Sequence, residues 1–504
     1  MRAVLRRTLT EWPGWRLVLA LTLHREMFAS NRRHALLEQL RVPVQYLNVE
    51  SRSSVARITA SRTGRSLFHP VAPAPAPASG FHFRGVAVFA HVVDDETIEP
   101  LLPPGAWERV DPITAPDGST VGWMRRHPNG DVALPFDPDA AMLNLLSESY
   151  SAAGRGRAVK RAIMRLYYRV RPLLPRAVQI ALRRRFARIQ ARTTFPQWPV
   201  DSTAHDLFDL VLALLEDVAG EPVPWIAPWP VPYEWALVLT HDVEHQAGCD
   251  NIGLLREIER ARGFRSTWNF VPRRYVTPVE TVRGLQGDGF EVGVHGLYHD
   301  GRDLESRELL LERLPAMREA AELWHATGFR SPATHRDWNL MQLLPFDYDS
   351  SYLDTDPFEP QGGGSCTWWP FFIGDLVELP ITLLMDHTLF VVLRRDENVW
   401  HEKVTYLRAR GGLALLITHP DYFLDRARLD AYDRFLANLE GDPTMWRALA
   451  RDVAGWWRRR AATSLEHDGS SWRVIGPGSE EARIVYGASS FKSEARSAVS
   501  ERRS

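Results

Sequence analysis

The 504-residue chain has little cysteine, no excess charge and no long apolar run. Its two cysteines, Cys249 and Cys366, exclude a disulfide framework and a CxxC metal site. A formal net charge of −1 argues against a nucleic acid as the partner of the whole protein. No apolar run reaches the roughly 18 residues of a transmembrane helix, so the sequence predicts no membrane span.

The first residues are basic and precede a short apolar run, residues 17–23. This run continues into His24, Arg25 and Glu26 without a small-residue cleavage site, which favours a helix over a signal peptide. We therefore expect a cytoplasmic protein.

The length predicts two or three domains. We expect a mostly helical region over residues 1–69, a Pro/Ala spacer over 70–80 and an accessory α/β region over 81–225. A barrel-type α/β domain is expected over 226–460, followed over 461–504 by a short β tail and a disordered C-terminus.

Residues 155–192 contain no acidic side chain, and their apolar positions recur at helical spacing with a break around residues 172–175. Two interpretations stay open. In the first, the segment is a helix pair that contacts either anionic lipid at the inner face of a membrane or a substrate linked to a lipid phosphate. Alternatively, it is a solvated basic face that packs on an acidic surface within the protein.

From Trp235 onward, apolar runs typical of strands alternate with helix-like segments. This alternation predicts a parallel sheet or a (β/α) barrel of seven strands. The seven runs are ALVLTHD, FRSTWNFVP, FEVGVHG, TGFRSPA, PFDYDSS, LVELPIT and GLALLITHP.

Polar side chains follow several of these runs at the point where each strand should end. The carboxyl ends of parallel strands meet at one mouth of a barrel, so these side chains should share one cleft. They are Asp242, Glu244, His295, His299, Arg330 and His419.

The segment HGLYHD places His295 and His299 four residues apart, which on a helical turn would set both imidazoles on one face. Two histidines and a carboxylate form a common site for a catalytic zinc or a similar divalent ion. His419 is either a histidine at the core edge or a general acid. Arg330 is either a surface residue or the group that orients a catalytic base.

In this order, the motifs LTHDVEH, HGLYHD, FRSPA, FDYDSS, ELPITLLMDHTLF and LLITHP resemble the polysaccharide deacetylases of the NodB-homology type, carbohydrate esterase family 4. The resemblance covers residues 235–423, under half of the chain. It implies a distorted (β/α) barrel that removes N-acetyl groups from amino sugars. It also implies one divalent metal, zinc before cobalt or nickel, and an N-acetylated glycan or lipid-linked sugar as substrate.

By the same resemblance, His295 and His299 would be metal ligands and Arg330 would hold the catalytic base. His419 would protonate the leaving amine, and Asp386 would tune this histidine.

The first motif departs from the family pattern, in which two aspartates are adjacent. Here the acids, Asp242 and Glu244, are separated by one residue. Either Asp242 is the base and Glu244 the metal ligand, which we favour, or Asp242 is the ligand and His241 or another group is the base.

Several tryptophans on loops after or between the strands are candidates for stacking on sugar rings, with capping of the core as the alternative: Trp268, Trp338, Trp368 and Trp369. Two other functions compete with the deacetylase. The altered first motif suggests a degenerate barrel that binds glycan without turnover. A narrow, closed mouth would instead favour a hydrolase of small amides.

Overall fold

The computed structural model describes residues 35–42, 47–51, 55–151, 175–423, 425–468 and 471–487. The strands are β1 Leu47–Ser51, β2 Val55–Ala60, β3 Ser66–Pro70, β4 Gly80–Phe83, β5 Val86–Phe89, β6 Glu108–Thr114, β7 Thr120–Arg126, β8 Val132–Ala133, β9 Pro224–Ile226, β10 Trp235–Val243, β11 Ser266–Phe270, β12 Glu291–Val294, β13 Gly328–Phe329, β14 Tyr348–Asp349, β15 Phe371–Ile373, β16 Leu376–Glu378, β17 Leu413–Thr418, β18 Met445–Arg447, β19 Ser464–His467, β20 Trp472–Ile475 and β21 Ile484–Tyr486.

The α-helices are α1 Ala35–Leu40, α2 Asp95–Ile98, α3 Pro138–Leu146, α4 Arg176–Gln190, α5 Thr203–Ala219, α6 Gln246–Asp250, α7 Ile252–Ala261, α8 Val279–Gly287, α9 Arg307–Trp324, α10 Trp338–Met341, α11 Asn398–Arg408, α12 Arg426–Ala437 and α13 Ala450–Ala461. A π-helical segment covers His387–Leu393, and short 3₁₀ turns cover Glu99–Leu101, Ser149–Ser151 and Pro332–Thr334.

The N-terminal part of the described chain is built on an eight-stranded sheet in the order β1-β2-β3-β8-β7-β6-β4-β5. The prediction of a mostly helical region over 1–69 is wrong for residues 47–69, which carry three of these strands. In β2, buried and more exposed side chains alternate, the two-residue period of a strand with one face on the core. Residues 1–34 lie outside the described residues.

The Pro/Ala spacer over 70–80 does not separate two units. Strand β3 precedes it, β4 follows it, and both belong to the same sheet. The backbone N–H groups of Ala72 and Ala76 donate to the side chains of Asp137 and Asn144 on or beside α3, which fixes the spacer against this helix.

The second sheet contains nine strands in the order β15-β16-β14-β13-β12-β11-β10-β17, with β18 pairing to the start of β10. All neighbours pair in parallel except β15 and β16. The seven predicted strand runs are confirmed as β10, β11, β12, β13, β14, β16 and β17. Strand β10 is buried along its whole length, as expected for a central parallel strand covered on both faces.

The two ends of the parallel sheet approach each other after β16. The backbone N–H groups of Thr382 and Leu383 donate to the carbonyl of Leu415 on β17, at 3.3 and 3.0 Å. The architecture is therefore a mixed α/β fold with a curled parallel sheet. The distorted seven-stranded (β/α) barrel stays a prediction.

The predicted β tail is present as the hairpin β19–β20 and as β21, which pairs with β9. One continuous cluster of buried apolar side chains spans both large sheets. Among the described helices, none combines the length and the apolarity that a membrane crossing requires.

Candidate metal centre and active site

The predicted polar residues meet at the carboxyl ends of the parallel strands. A cavity of about 1020 Å³ is lined there by Asp242, Glu244, His295, His299 and His419. Arg330 and Asp386 lie directly behind it, each 1% exposed. The structure thus brings together all seven residues that the motifs nominated for catalysis and metal binding.

Glu244, His295 and His299 offer ligand atoms that all lie within 4.8 Å of one another, as a single cation requires. His299 Nε2 is buried and lies 3.0 Å from Glu244 Oε1, but its contact with this oxygen does not have the geometry of a hydrogen bond. A buried nitrogen without a hydrogen bond is costly, and two ligand atoms that face each other in this way fit a shared metal ion.

The protonation of His295 also suits a ligand. Its Nδ1 lies 3.1 Å from the carbonyl of Arg330, which can only accept, so Nδ1 carries the proton and Nε2 keeps its lone pair. Burial lowers the pKa of His295 to about 4, although the nearby Asp242 opposes this. A neutral imidazole is the form that binds metal.

The loop after β12 differs from the prediction. HGLYH is not a helical turn; it is an irregular loop in which Gly296 has φ +63° and His299 has φ 55°. A Cβ at Gly296 would lie 2.4 Å from Asp303 Oδ2, so only glycine fits. Arg313 of α9 pairs with Asp303 at 2.6 Å, which holds the loop in place. The two imidazoles still converge, with ring centroids 4.9 Å apart.

Asp242 is oriented by two donors on the same oxygen. Its Oδ1 accepts from Asn269 Nδ2 at 2.8 Å and from Arg330 Nη1 at 3.1 Å, while Oδ2 lies 3.8 Å from His295 Nε2. Burial would raise the pKa of Asp242, but the charge of Arg330 and the neighbouring histidines lower it overall. Asp242 is thus an ionised carboxylate with one oxygen, Oδ2, directed beside the metal cluster.

Arg330 is fixed by contacts from the neighbouring strand ends. Its Nε donates to the carbonyl of Ser350 at 2.7 Å, and Nη2 donates to the Ser350 hydroxyl at 2.9 Å. Nη1 also donates to Thr240 Oγ1 at 2.8 Å. With 1% exposure and every nitrogen engaged, Arg330 acts on Asp242 and does not reach into the cavity.

His419 lies beside Glu244 of the metal cluster. Asp386 accepts from the backbone N–H of His419 at 2.9 Å and from its Nδ1 at 2.6 Å. His419 Nε2 lies 3.9 Å from Glu244 Oε1. Burial opposes the charged imidazole, but the carboxylate of Asp386 outweighs it and raises the pKa of His419 to about 10. His419 therefore carries a proton at neutral pH.

Three further residues shape the site and were missed in the sequence. Tyr422 donates its hydroxyl to Glu244 Oε2 at 2.6 Å. Asp421 accepts from the backbone N–H groups of Glu244, His245 and Gly248 at 2.9, 3.0 and 3.2 Å, which fixes the loop that carries Glu244. Asn269, Asp421 and Tyr422 all sit at or just after strand ends, so the signal that identified the other residues could have found them.

A scan of family models finds no match to this chain, and no curated protein matches it. Solved structures do match. A protein described as a polysaccharide deacetylase, from Mycobacterium smegmatis, is 21% identical over 48% of this chain and 96% of its own, with a TM-score of 0.41. Another polysaccharide deacetylase, from Pseudomonas aeruginosa PAO1, is 17% identical over 49% and 97%, with a TM-score of 0.35. The allantoinase PuuE is 17% identical over 46% and 93%, with a TM-score of 0.38.

The structural neighbours include polysaccharide deacetylases, an allantoinase and a pseudoenzyme of carbohydrate esterase family 4 from Bacillus anthracis. They include the family that the motifs resemble, at low identity and over about half of the chain. At these TM-scores they carry no argument about activity, which rests on the side chains of the cavity.

His241 is not the alternative base. Its Nε2 lies 2.7 Å from Glu259 Oε1 and its Nδ1 lies 2.6 Å from the Thr418 hydroxyl, and the ring is 0% exposed. Side chains alternate along a strand, so His241 faces away from the cavity that Asp242 lines.

The tryptophan prediction is wrong for sugar stacking in this cavity, because none of the four tryptophans is among the described residues that line it. Trp268 is 0% exposed and packs on His241, with ring centroids 4.1 Å apart. Trp368 and Trp369 are buried around His205. Trp338 is half-buried and stacks on Phe371.

The basic segment has a position that the sequence did not indicate. Residues 155–174 lie outside the described residues, but α4 covers residues 176–190 and forms one wall of the cavity through Leu182, Phe186 and Ile189. Arg183 of this helix lies 3.5 Å from Glu359, an acidic contact within the protein. Membrane contact by the segment stays a prediction.

A second cluster with metal-ligand chemistry lies in the N-terminal sheet region: His69, Asp137 and Asp139. Here the Asp137 carboxylate already accepts from the backbone N–H groups of Ala72, Asp139 and Ala140. Asp137 is the N-cap of α3, so its carboxylate already stabilises the start of this helix. The carboxylate of Glu244 caps no helix, which favours the first cluster as the metal site.

Proposed function

We propose that the protein is a metal-dependent amide hydrolase that removes N-acetyl groups from an amino sugar in a glycan or in a lipid-linked glycan precursor. One observation carries the proposal. The cluster of Glu244, His295 and His299 lies between an ionised carboxylate, Asp242, and a protonated imidazole, His419. Amide hydrolysis at a divalent metal needs a base and an acid placed in this way.

Glu244, His295 and His299 would hold the metal, most consistently zinc, through one oxygen and two nitrogens. When bound, a divalent ion there would supply a Lewis acid for the acyl carbonyl and would lower the pKa of the attacking water.

Asp242 Oδ2 takes a proton from the attacking water, because Oδ1 is already occupied by Asn269 and Arg330. Water oxygen forms the new bond to the acyl carbon, and the bond from this carbon to nitrogen breaks. His419 Nε2 gives its proton to the departing nitrogen, while Asp386 holds Nδ1. The products are acetic acid and a free amine, which at neutral pH become acetate and an ammonium group, and the site is restored when the proton on Asp242 passes to His419.

The test measures metal content and acetate release on the same preparations. Purified wild type should hold about one equivalent of a divalent metal by mass spectrometry and should release acetate from oligomers of N-acetylglucosamine. His295→Ala should lose both the metal and the activity. The matched control is His401→Ala, which removes an imidazole outside the cavity and should retain both.

Wild type that holds metal but releases acetate from no N-acetylated sugar would contradict the deacetylase proposal and favour a small-amide hydrolase or a glycan-binding protein. Wild type that holds no metal after addition of zinc, cobalt or nickel would favour the degenerate binding function.

A further inference from the structure

A second cavity lies beside α4, on a side of the helix other than its catalytic wall. Its volume is about 740 Å³, and four arginines line it: Arg184, Arg188, Arg394 and Arg395. No acidic side chain is among the described residues that line it. We call it the arginine cavity.

The positive charge of the arginine cavity is poorly compensated. Arg184 donates through Nε and Nη2 to the carbonyl of Val391, at 3.1 and 2.9 Å, which places the guanidinium but leaves its charge. The side chains of Arg188 and Arg394 make no hydrogen bond or ion pair with any residue that the structure describes. Four guanidinium groups lining one concavity create a positive potential there, which water and salt screen only in part and which attracts anions.

The acidic residues nearest in sequence are engaged elsewhere. Glu397 pairs with Arg434 at 2.6 Å, and Glu359 lies against Arg183 on the catalytic side of α4. Asp396 accepts from the backbone N–H of Asn398 and does not line the cavity. Among the described residues the four arginines therefore have no acidic partner in the cavity, and Arg188, Arg394 and Arg395 are exposed to solvent, where an anionic ligand could reach them.

The remaining wall is apolar and aromatic. Trp198 lies edge-on to Phe358 at 5.1 Å between ring centroids, and Arg395 lies over the Trp198 ring at 5.9 Å. Ala181, Leu393 and Pro357 also belong to this wall. A cavity of this volume holds much more than an inorganic ion, and its apolar wall suits an organic group.

We propose that the arginine cavity binds the phosphate or pyrophosphate group of a phosphorylated organic ligand, with the organic part against Trp198 and Phe358. Guanidinium forks match phosphate oxygens in shape and charge, and several arginines suit a group with more than one negative charge. This proposal does not rest on the proposed hydrolase, because it concerns a different cavity and is tested by binding alone.

The test is isothermal titration calorimetry on the full chain, stripped of metal so that the probes cannot bind at the metal cluster. The probes are inorganic pyrophosphate and geranyl pyrophosphate, and vesicles of phosphatidylcholine with and without phosphatidic acid are compared by sedimentation. Arg188→Ala and Arg394→Asn should each weaken binding by about tenfold or more. Asparagine tolerates the φ of 56° at position 394.

The matched control is Arg185→Ala. Arg185 lies on the same helix, three residues before Arg188, but lines the catalytic cavity. Its loss should change the affinity by less than about twofold, and thermal unfolding should show that all three variants fold.

Binding of geranyl pyrophosphate alone would assign the phosphate to a soluble ligand, and binding of phosphatidic acid vesicles alone would assign it to a lipid headgroup. Both results support the site. Equal weakening by Arg185→Ala would show general attraction to a basic helix and would overturn the proposal. Failure of wild type to bind any of the probes would overturn it as well.

Discussion

The two sides of strand β10 carry the same kinds of side chain and have different tasks. On the back, His241 lies between Glu259 and Thr418, and Glu259 also accepts from Ser266 and Tyr432 at 2.7 and 2.6 Å. On the front, Asp242 and Glu244 face histidines across a cavity.

The two sides differ in whether their buried nitrogen and oxygen atoms have hydrogen-bond partners. The back network is sealed, and its hydrogen bonds account for both nitrogens of His241 and both oxygens of Glu259. On the front, His299 Nε2 contacts Glu244 Oε1 at 3.0 Å without the geometry of a hydrogen bond, and Asp242 Oδ2 lies 3.8 Å from His295 Nε2. Buried polar groups that are fully paired stabilise a fold, whereas those left open beside a cavity await a ligand.

The strongest test of this comparison is Asp242→Asn on the front. Asparagine keeps the shape and can still accept from Arg330, but it cannot take a proton from water. We expect kcat/KM for acetate release to fall about a thousand-fold. Metal content should stay as in wild type, whereas the free energy of unfolding should fall, because the buried Arg330 loses its charge partner. Loss of the metal together with activity would instead make Asp242 a ligand, as in the alternative assignment of the first motif.

The matching change on the back is Glu259→Gln. Glutamine keeps the volume of the side chain but removes the carboxylate charge that faces His241. It also replaces one of the two oxygens that accept from Ser266 and Tyr432 with an NH2 group, which cannot accept. Breaking a buried pair of this kind should lower the free energy of unfolding by about 3 kcal/mol, measured by urea denaturation. The folded variant should keep kcat/KM within about twofold. A large loss of activity in fully folded protein would show that the back network also serves catalysis.

Much of the fold and of the front side was predictable because local patterns determine it. The apolar runs marked seven of the eight strands that pair in parallel, all but β18, and the polar residues after them marked the cavity. The register even accounts for the error at Trp268. It pairs with His241, whereas Asn269 pairs with Asp242, so Trp268 must face the back.

The rest depended on contacts between distant parts of the chain. Nothing local places α4 over the strand ends, because this position is set by contacts such as that of Arg184 with the carbonyl of Val391, 207 residues away. In the same way, the sequence around Gly296 did not predict an irregular loop. The loop conformation depends on Asp303, which lies against Gly296, and on Arg313 of α9, which pairs with Asp303.

A smaller effect is expected from Asp386→Asn. The carboxylate of Asp386 holds the pKa of His419 at about 10 against the effect of burial. Without this charge, burial lowers the pKa, so the imidazole loses its proton at a lower pH. The decline of activity on the alkaline side should move to lower pH, and kcat at neutral pH should fall about 100-fold.

The control for this prediction is an aryl acetate substrate, whose phenolate leaves without a proton. Its hydrolysis should be nearly the same in Asp386→Asn as in wild type. If the amide and the ester lose activity equally, Asp386 maintains the shape of the site and does not tune an acid.

The smallest effects separate the two sides most cleanly, because each side has a tyrosine that donates to a carboxylate at 2.6 Å. Tyr422→Phe removes the donor to Glu244 on the front. Since groups that orient a metal ligand contribute to affinity, the metal dissociation constant should rise about tenfold, measured by competition with a chromophoric chelator. Stability without metal should change little, because the front is open to the cavity.

Tyr432→Phe removes the donor to Glu259 on the back and should do the reverse. A sealed carboxylate that loses one donor should lower the free energy of unfolding by about 1–3 kcal/mol, while the metal dissociation constant stays unchanged. The two phenylalanine variants delete the same atom from the same kind of contact, so a difference between them reports only the surroundings. Equal effects on metal affinity would mean that β10 transmits strain from one face to the other, and the division between a structural back and a functional front would fail.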